Sequence, residues 1–398
     1  MVNLDGDDLR ILWLSPLPPV RSGVADYGME LLPELGRLAD LRVVRPPDWS
    51  PPADWPEEIE LVPTGATAEL GEIVVVHLGN NPYHEWLLDR LRTSRNLVVV
   101  LHDTVLHHLL VESAVTQGGE ETLAEGLLTA HGEAGVALAA ARRFGHHGHL
   151  DPFLFPARRP FLENAQAVLV HSRWAEDLVR KEHPGTAVGR VGLAVADPSP
   201  TDRGAVRSRL GLTPDEVVIM HLGFLTPEKG LEEILTGVSA AHRAGVSVRF
   251  VVVGEGVGIA PLRSAADRTG MAGRLLVTEW IEPELFPGLP AAADLGVVFR
   301  TPSAGETSAA ALRFLACGVP VAVGGIHQFL EWPEIAAPRL TPGSSAPADL
   351  ARLLAGVGGA GWKNRCRAAR SVYEESHRPE DVARQMATFF NSIDFHST

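Results

Sequence analysis

Cysteine is scarce in this chain: two residues, Cys317 and Cys366, among 398. Two thiols exclude a disulfide framework and a zinc ribbon, and they fit a reducing cytoplasm. Positive charge is outweighed, with 35 Lys and Arg against 49 Asp and Glu, a formal net charge of −14. No dense Lys/Arg run is present, which argues against nucleic acid as the main partner but leaves room for a local basic pocket. No apolar run reaches the roughly 20 residues of a membrane span, so no transmembrane segment is expected. No strongly basic amphipathic helix recommends a membrane surface either. The first eight residues, Met1–Asp8, are acidic and lack the apolar stretch of a signal peptide. Repeats and low-complexity tracts are also missing. These absences describe a soluble cytoplasmic protein.

What is present is a globular composition, 45% hydrophobic and 21% charged, on a chain too long for one ordinary core. Short β-branched runs alternate with helical patterns. Strands are expected at 10–15, 41–44, 73–78, 97–101, 167–171 and 188–191, with helices at 27–38, 83–91 and 174–182 and one long helical insert over 122–143. Most runs are continuously apolar, as parallel strands covered on both faces are. The second half repeats the scheme, with strands at 217–222, 248–253, 275–278, 295–299 and 320–323. Its helices fall at 231–244, 260–269, 307–317 and 349–356. The Pro-punctuated stretch Ala196–Asp202 reads as a linker. The fold class is therefore α/β: two Rossmann-like domains facing a central cleft, residues 1–196 and 203–376, with a last amphipathic helix within 377–398.

Two strand-to-helix turns of the second half carry chemistry. Met220-His221-Leu222 runs into Gly223-Phe224-Leu225-Thr226-Pro227-Glu228-Lys229-Gly230, and Leu295–Phe299 runs into Arg300 and then Gly305-Glu306-Thr307-Ser308. Amides at a helix start attract phosphate oxygens, and Lys229 adds a point charge. Arg300 can grip phosphate bidentately, and the Glu306 carboxylate can accept bonds from sugar hydroxyls. The pattern suits a diphosphate carrying a sugar. The plainer readings are an exposed surface lysine, and Thr307 or Ser308 as helix caps. Val253-Gly254-Glu255-Gly256 is too incomplete a glycine fingerprint for a dinucleotide.

In the first half, Ser22-Gly23 opens a helix where a ligand can approach the backbone, with Asp26 in its first turn; a capped helix start explains the same residues. His102-Asp103 ends a strand, where the imidazole can bond a sugar hydroxyl or a leaving phosphate and Asp103 can orient it or hold an acceptor. His107 and His108 face the cleft or pack. Asn80 and His84 are open to contact with a polyhydroxylated acceptor, whereas Asn81 reads as the cap of a helix that Pro82 begins. Six of the 16 histidines cluster as His102, His107, His108 and His146, His147, His149. No C-x-x-C or H-E-x-x-H accompanies them, so polar lining is preferred to a metal site, and the second cluster reads as a loop. Trp280 stacks on a base or packs.

Together these segments resemble the GT-B glycosyltransferases, specifically family 4 of the retaining nucleotide-sugar transferases. The branch is the one with Ser-Gly-Val-Ala-Asp-Tyr (Ser22–Tyr27), Gly-Asn-Asn-Pro (Gly79–Pro82), His-Asp-x-x-Leu-His-His (His102–His108), a V-x-V-H-S strand (Val168–Ser172), F-x-x-P-x-K-G (Phe224–Gly230) and Gly-Glu-Thr-Ser (Gly305–Ser308). The resemblance implies a donor bound mainly by the C-terminal domain and a final helix crossing back. It also implies no cofactor and no obligatory metal, the nucleoside-diphosphate sugar being the substrate. His102, Lys229 and Glu306 are the implied catalytic residues. Gly23, Phe224, Lys229, Arg300, Gly305, Glu306, Thr307 and Ser308 would bind the donor, and Asp26, Asn80, Asp103 and His107 the acceptor. Two positions depart from the family: Arg313 stands where its second glutamate usually stands, and Phe224 where many members have a phosphate-binding arginine. The expected activity is retaining transfer of a hexose-type sugar to a hydroxyl acceptor, a glycan or a small natural product. Alternatives are a sugar-nucleotide epimerase, a phosphorolytic enzyme, a catalytically weakened nucleotide-sugar-binding protein and, more distantly, a dehydrogenase. Base, sugar, acceptor and oligomeric state are not readable from the residues.

Overall fold

The computed structural model describes residues 9–53, 55–117, 119–198, 201–279, 281 and 285–395. Met1–Asp8, the linker residues Ser199 and Pro200, and Trp280 lie outside the described residues. The chain divides into two units, taken over the described residues of each: Met1–Ala194 with Ala304–Thr307 and Pro379–Thr398, and Val195–Ser303 with Ser308–Arg378.

The first unit holds seven strands: β1 Arg10–Leu14, β2 Asp40–Val44, β3 Glu60–Val62, β4 Ile73–Leu78, β5 Leu97–Leu101, β6 Ala167–Val170 and β7 Ala187–Arg190. They lie in the order β3-β2-β1-β4-β5-β6-β7, every neighbouring pair parallel. β4, β5 and β6 are buried along their whole length, which is why they read as unbroken apolar runs rather than alternating ones. The second unit holds β8 Val217–Leu222, β9 Val248–Val253, β10 Leu275–Thr278, β11 Leu295–Val298, β12 Val321–Gly324 and β13 Arg339–Leu340. Their order is β10-β9-β8-β11-β12-β13, again all parallel. Strand order therefore reverses between β1 and β4 in one sheet and between β8 and β11 in the other. In such sheets, ligands bind beyond the carboxyl ends of the strands at that reversal.

The final helix, Pro379–Asn391, buries Val382, Ala383, Met386, Ala387 and Phe390 along one stripe and belongs to the first unit. Gln385 Oε1 accepts from the Gly192 amide at 2.9 Å, and the Tyr27 hydroxyl contacts the Met386 sulfur at 3.6 Å. Three expectations are corrected. The insert read as one helix is two, Gly119–His131 and Glu133–Arg143, broken at Gly132 with φ 61°. Gly135 lets the pair close, since a Cβ there would stand 2.0 Å from the Leu127 carbonyl oxygen. Residues 83–91 form a 3₁₀ turn, Pro82–Leu87, followed by the short helix Leu88–Thr93. The two edge strands β3 and β13 escaped the apolar pattern because they are only three and two residues long. Among the described residues no helix is long and apolar enough to cross a membrane, and both cysteines are free thiols.

The amino ends of the strands at each reversal are anchored by carboxylates immediately before them. Glu72, preceding β4, takes two bonds from Arg42. Asp294, preceding β11, takes bonds from Arg203, Arg207 and the Val218 amide. Arg207 also donates to the carbonyls of Ala292, Thr213, Pro214 and Glu216. Removing one partner of such a buried pair strands the rest. Arg207→Met is therefore expected to lower unfolding free energy by about 3 kcal/mol, read from urea midpoints. A loss below about 1 kcal/mol would contradict the anchoring role.

Candidate functional site

In the second unit the turns after β8 and β11 lie side by side because those strands are neighbours. The Thr301 amide donates to the Glu228 carbonyl at 2.9 Å, tying one turn to the other. The turn after β9 joins them: the Leu225 amide donates to Glu255 O at 2.8 Å and the Gly258 amide to Leu225 O at 3.0 Å. Only glycine fits two of these places. Gly254 has φ 147° and a Cβ would meet Gly223 O at 2.1 Å, while Gly256 has φ 141° and would meet Leu225 O at 2.5 Å. This explains the incomplete glycine fingerprint as a packing device.

Lys229 ends the 3₁₀ turn Pro227–Lys229 and is only 8% exposed, which overturns the exposed-lysine reading. Gly230 follows with φ 57°, where a Cβ would press 2.7 Å from the Phe299 ring. Beneath lies His221, whose Nδ1–H donates to Val297 O at 3.1 Å. Burial, then the positive charges of Lys229 and Arg300, hold its pKa down to about 3. Two cations of the predicted set thus converge on one imidazole at the β8/β11 reversal. His221 was overlooked by sequence reasoning; its signal was a polar residue inside an apolar strand. Phe224 stands at the mouth of the same turn, 49% exposed. The Arg313 guanidinium lies over the Phe286 ring, 5.3 Å from its centroid.

The Gly-Glu-Thr-Ser segment divides between the units. Ser308 caps the helix Ala309–Ala316 by accepting from the Ala311 amide, the plainer of its two readings. Ala304–Thr307 packs with the first unit. There Ala304 O accepts from the amide and hydroxyl of Thr104 at 3.1 and 2.6 Å, and the Thr307 hydroxyl donates to His171 O at 3.3 Å. Gly305, with φ 73°, is enclosed by Trp174 and Thr104, and half-buried Glu306 follows it.

In the first unit, Ser22 caps the helix Gly23–Leu35 through the Val24 amide. A Cβ on Gly23 would meet nothing within 4 Å, so the backbone there is open to a ligand, with Asp26 exposed beside it. Asn81 accepts from the Tyr83 amide, as its capping role predicts. Asn80 Oδ1 accepts from the amides of His108 and Leu109, holding the start of helix His107–Gln117, and the Asn80 amide donates to Asp103 Oδ2 at 2.8 Å. His107 is buried and donates from Nδ1 to Phe155 O. His102 faces His77, their Nε2 and Nδ1 3.0 Å apart. Among the described residues no group of three or more His, Cys, Asp or Glu is arranged to hold a metal ion.

No family model matches the chain. Over 135 residues it is 36% identical to a D-inositol 3-phosphate glycosyltransferase of Segniliparus rotundus, covering 32% of this chain and 29% of that protein. Over 155 residues it is 26% identical to an alpha-D-kanosaminyltransferase of Streptomyces kanamyceticus, covering 37% and 40%. The chain thus spans well under half the length of these curated relatives. Among solved structures it superposes on sucrose-phosphate synthase from Thermosynechococcus elongatus with TM-score 0.65 and 18% identity, over 96% of this chain and 98% of that one. It superposes on Anabaena HepE, solved with UDP and glucose, with TM-score 0.63 and 15% identity over 97% and 100%. The two-sheet α/β fold of the GT-B class is shown by these likenesses.

Burial also fixes the acid response. It lowers His84 to about 4 and His221 to about 3, and holds His77 and His102 well below the ordinary value of 6.5. These rings stay neutral when folded but protonate once unfolded, so the unfolded state binds more protons below about pH 6.5. Stability is therefore full above that pH and falls as pH drops toward the folded values, by on the order of 2 kcal/mol for each of His84 and His221 at pH 5. Urea midpoints should fall steeply from pH 7 to pH 5; a flat profile across that range would refute the neutral-imidazole assignment.

Proposed function

We propose that this protein is a retaining glycosyltransferase, moving a sugar from a nucleoside diphosphate to a hydroxyl acceptor in the cytoplasm. The observation that carries this reading is the buried ammonium of Lys229. It sits with Arg300 at the strand reversal of the second sheet, between two turns held together by their own backbone. A buried lysine and an arginine on adjoining turns are cationic groups suited to a compact polyanion such as a diphosphate. Relatives and fold neighbours point the same way. A Mycobacterium tuberculosis relative, 34% identical over 113 residues, is a GDP-mannose-dependent mannosyltransferase, and HepE holds UDP and glucose.

In this reading Lys229 and Arg300 neutralise the diphosphate as the glycosidic bond breaks, and the turn at Phe224 borders it. Gly305, Glu306 and the amides of Thr307 and Ser308 hold the donor's sugar and phosphates. His102 contacts the sugar, and the open backbone at Gly23 admits the reacting region. Asp26, Asn80, Asp103 and His107 belong to the acceptor side, where Asn80 and His107 act through the loops they fasten. Catalysis is chiefly positioning plus electrostatic stabilisation of the leaving group. The departing phosphate oxygen takes the acceptor's proton on the face it leaves, which retains the anomeric configuration without an enzymic nucleophile.

A thermal-shift screen against UDP, GDP, dTDP and ADP should single out one base, since a ligand at 100 times its Kd stabilises the folded state by about 2.7 kcal/mol. With the matching sugar nucleotide, Lys229→Ala is expected to cut turnover about 100-fold, and the product's anomeric proton coupling should equal the donor's. Unchanged turnover in that variant, or an inverted product, counts against the assignment.

A further inference from the structure

We propose that His77 is a positioning residue for His102: it holds that ring in the tautomer with its proton on Nδ1, so that His102 meets a ligand as a hydrogen-bond donor and not as a base. The contact of His102 with a sugar rests on the functional reading above; the tautomer does not.

His77 is the fifth residue of β4 and fully buried, while His102 follows β5 and keeps 9% of its surface exposed. The two strands are paired in parallel register, His77 opposite Val100, which brings the rings within reach of each other. His77 Nδ1 and His102 Nε2 are 3.0 Å apart. Both imidazoles are kept neutral by burial, so one nitrogen of the pair carries the shared proton and the other offers a lone pair. The far side of His77 decides which. Its Nε2 is enclosed and has no hydrogen-bond partner. If His102 were the donor, the proton of His77 would sit on that Nε2 as an orphaned buried N–H. Such orphans are rarer in folded proteins than under-bonded acceptors. The favoured arrangement therefore has His77 donating from Nδ1, His102 accepting at Nε2, and the proton of His102 on Nδ1.

The surroundings prevent a rotation that would exchange these roles. His84 Nδ1–H donates to His77 O at 2.9 Å, fixing the backbone under the ring. Trp13 packs on His77 with centroids 4.0 Å apart, and Tyr27 and His171 flank His102 at 4.9 Å each. A ring in a close-packed shell keeps one orientation. The ligand atom facing His102 is then an acceptor oxygen, such as a hydroxyl or ring oxygen of a sugar.

The test uses the full chain labelled with ¹⁵N-histidine and long-range ¹⁵N–¹H correlation spectra, with His102 assigned by its disappearance in His102→Gln. Wild type should show His102 protonated on Nδ1 and bare on Nε2. His77→Asn keeps an N–H near the place of Nδ1 and should retain that tautomer. His77→Leu removes the donor; the His102 tautomer should become mixed, and kcat should fall about 10- to 100-fold, the usual cost of losing an imidazole's outer partner, with donor KM little changed. Wild-type His102 protonated on Nε2, or His77→Leu with tautomer and turnover both intact, overturns the proposal. Should His77→Leu fail to fold, the wild-type spectrum decides by itself. Absence of any glycosyl transfer would defeat the functional reading while the spectra still judge the tautomer.

Discussion

A buried lysine is the constraint from which the second unit is best understood. The chain has three lysines, Lys181, Lys229 and Lys363; the first and last are exposed and Lys229 is buried. Withdrawing an ammonium from water costs several kcal/mol even after relaxation, more than a surface ion pair returns. Placing an arginine nearby, as Arg300 is, increases that cost through repulsion. The fold tolerates this because the turns around the two cations are fixed by backbone hydrogen bonds and by glycines that no other residue can replace. The turns thus keep Lys229 and Arg300 in fixed places about His221.

In the first unit the buried titratable groups near His102 are imidazoles and a tyrosine hydroxyl, with the Asp103 carboxylate next along the chain bonded to the Asn80 amide. Burial keeps His77, His84 and His102 uncharged, so these rings offer directional hydrogen bonds without charge of their own. Neutral donors and acceptors at fixed angles distinguish hydroxyl patterns, whereas charge would attract any anion regardless of shape.

Much of this was legible in the residues, and the reasons are physical. Parallel strands buried on both faces announce themselves as apolar runs, so the boundaries of β4, β5, β8, β9 and β10 were read correctly to the residue. The turn that carries Lys229 was legible because Pro-Glu-Lys-Gly after an apolar strand marks one. Three things were hidden. Gly132 breaks a helical pattern that composition alone presents as continuous. The carboxylate anchors Glu72, Glu216 and Asp294 are separated in sequence from most of the arginines they meet, and pairing across the fold leaves no local trace. His77 sits inside Ile-Val-Val-Val-His-Leu, where its neighbours say only that it lies in a strand; its partner became visible once the strand order set β4 beside β5.

The polarity of the sheets explains why the hidden residues divide into two kinds. At the amino ends of the reversal strands, the charges are paired among themselves: Arg42 with Glu72, Arg207 with Asp294, Arg249 with Glu216. Such closed sets need nothing from outside, and their function is to hold strands in place. Beyond the carboxyl ends stand Lys229 and Arg300 together with the carboxylates Glu228, Glu255 and Glu306, all carried on the turns that follow β8, β9 and β11. Charges paired beneath the sheet at one end and gathered on connecting turns at the other fit a sheet whose ligands bind beyond its carboxyl ends. Because the anchors hold the strand beginnings, the turns at their far ends can bring both Lys229 and Arg300 to bear on His221.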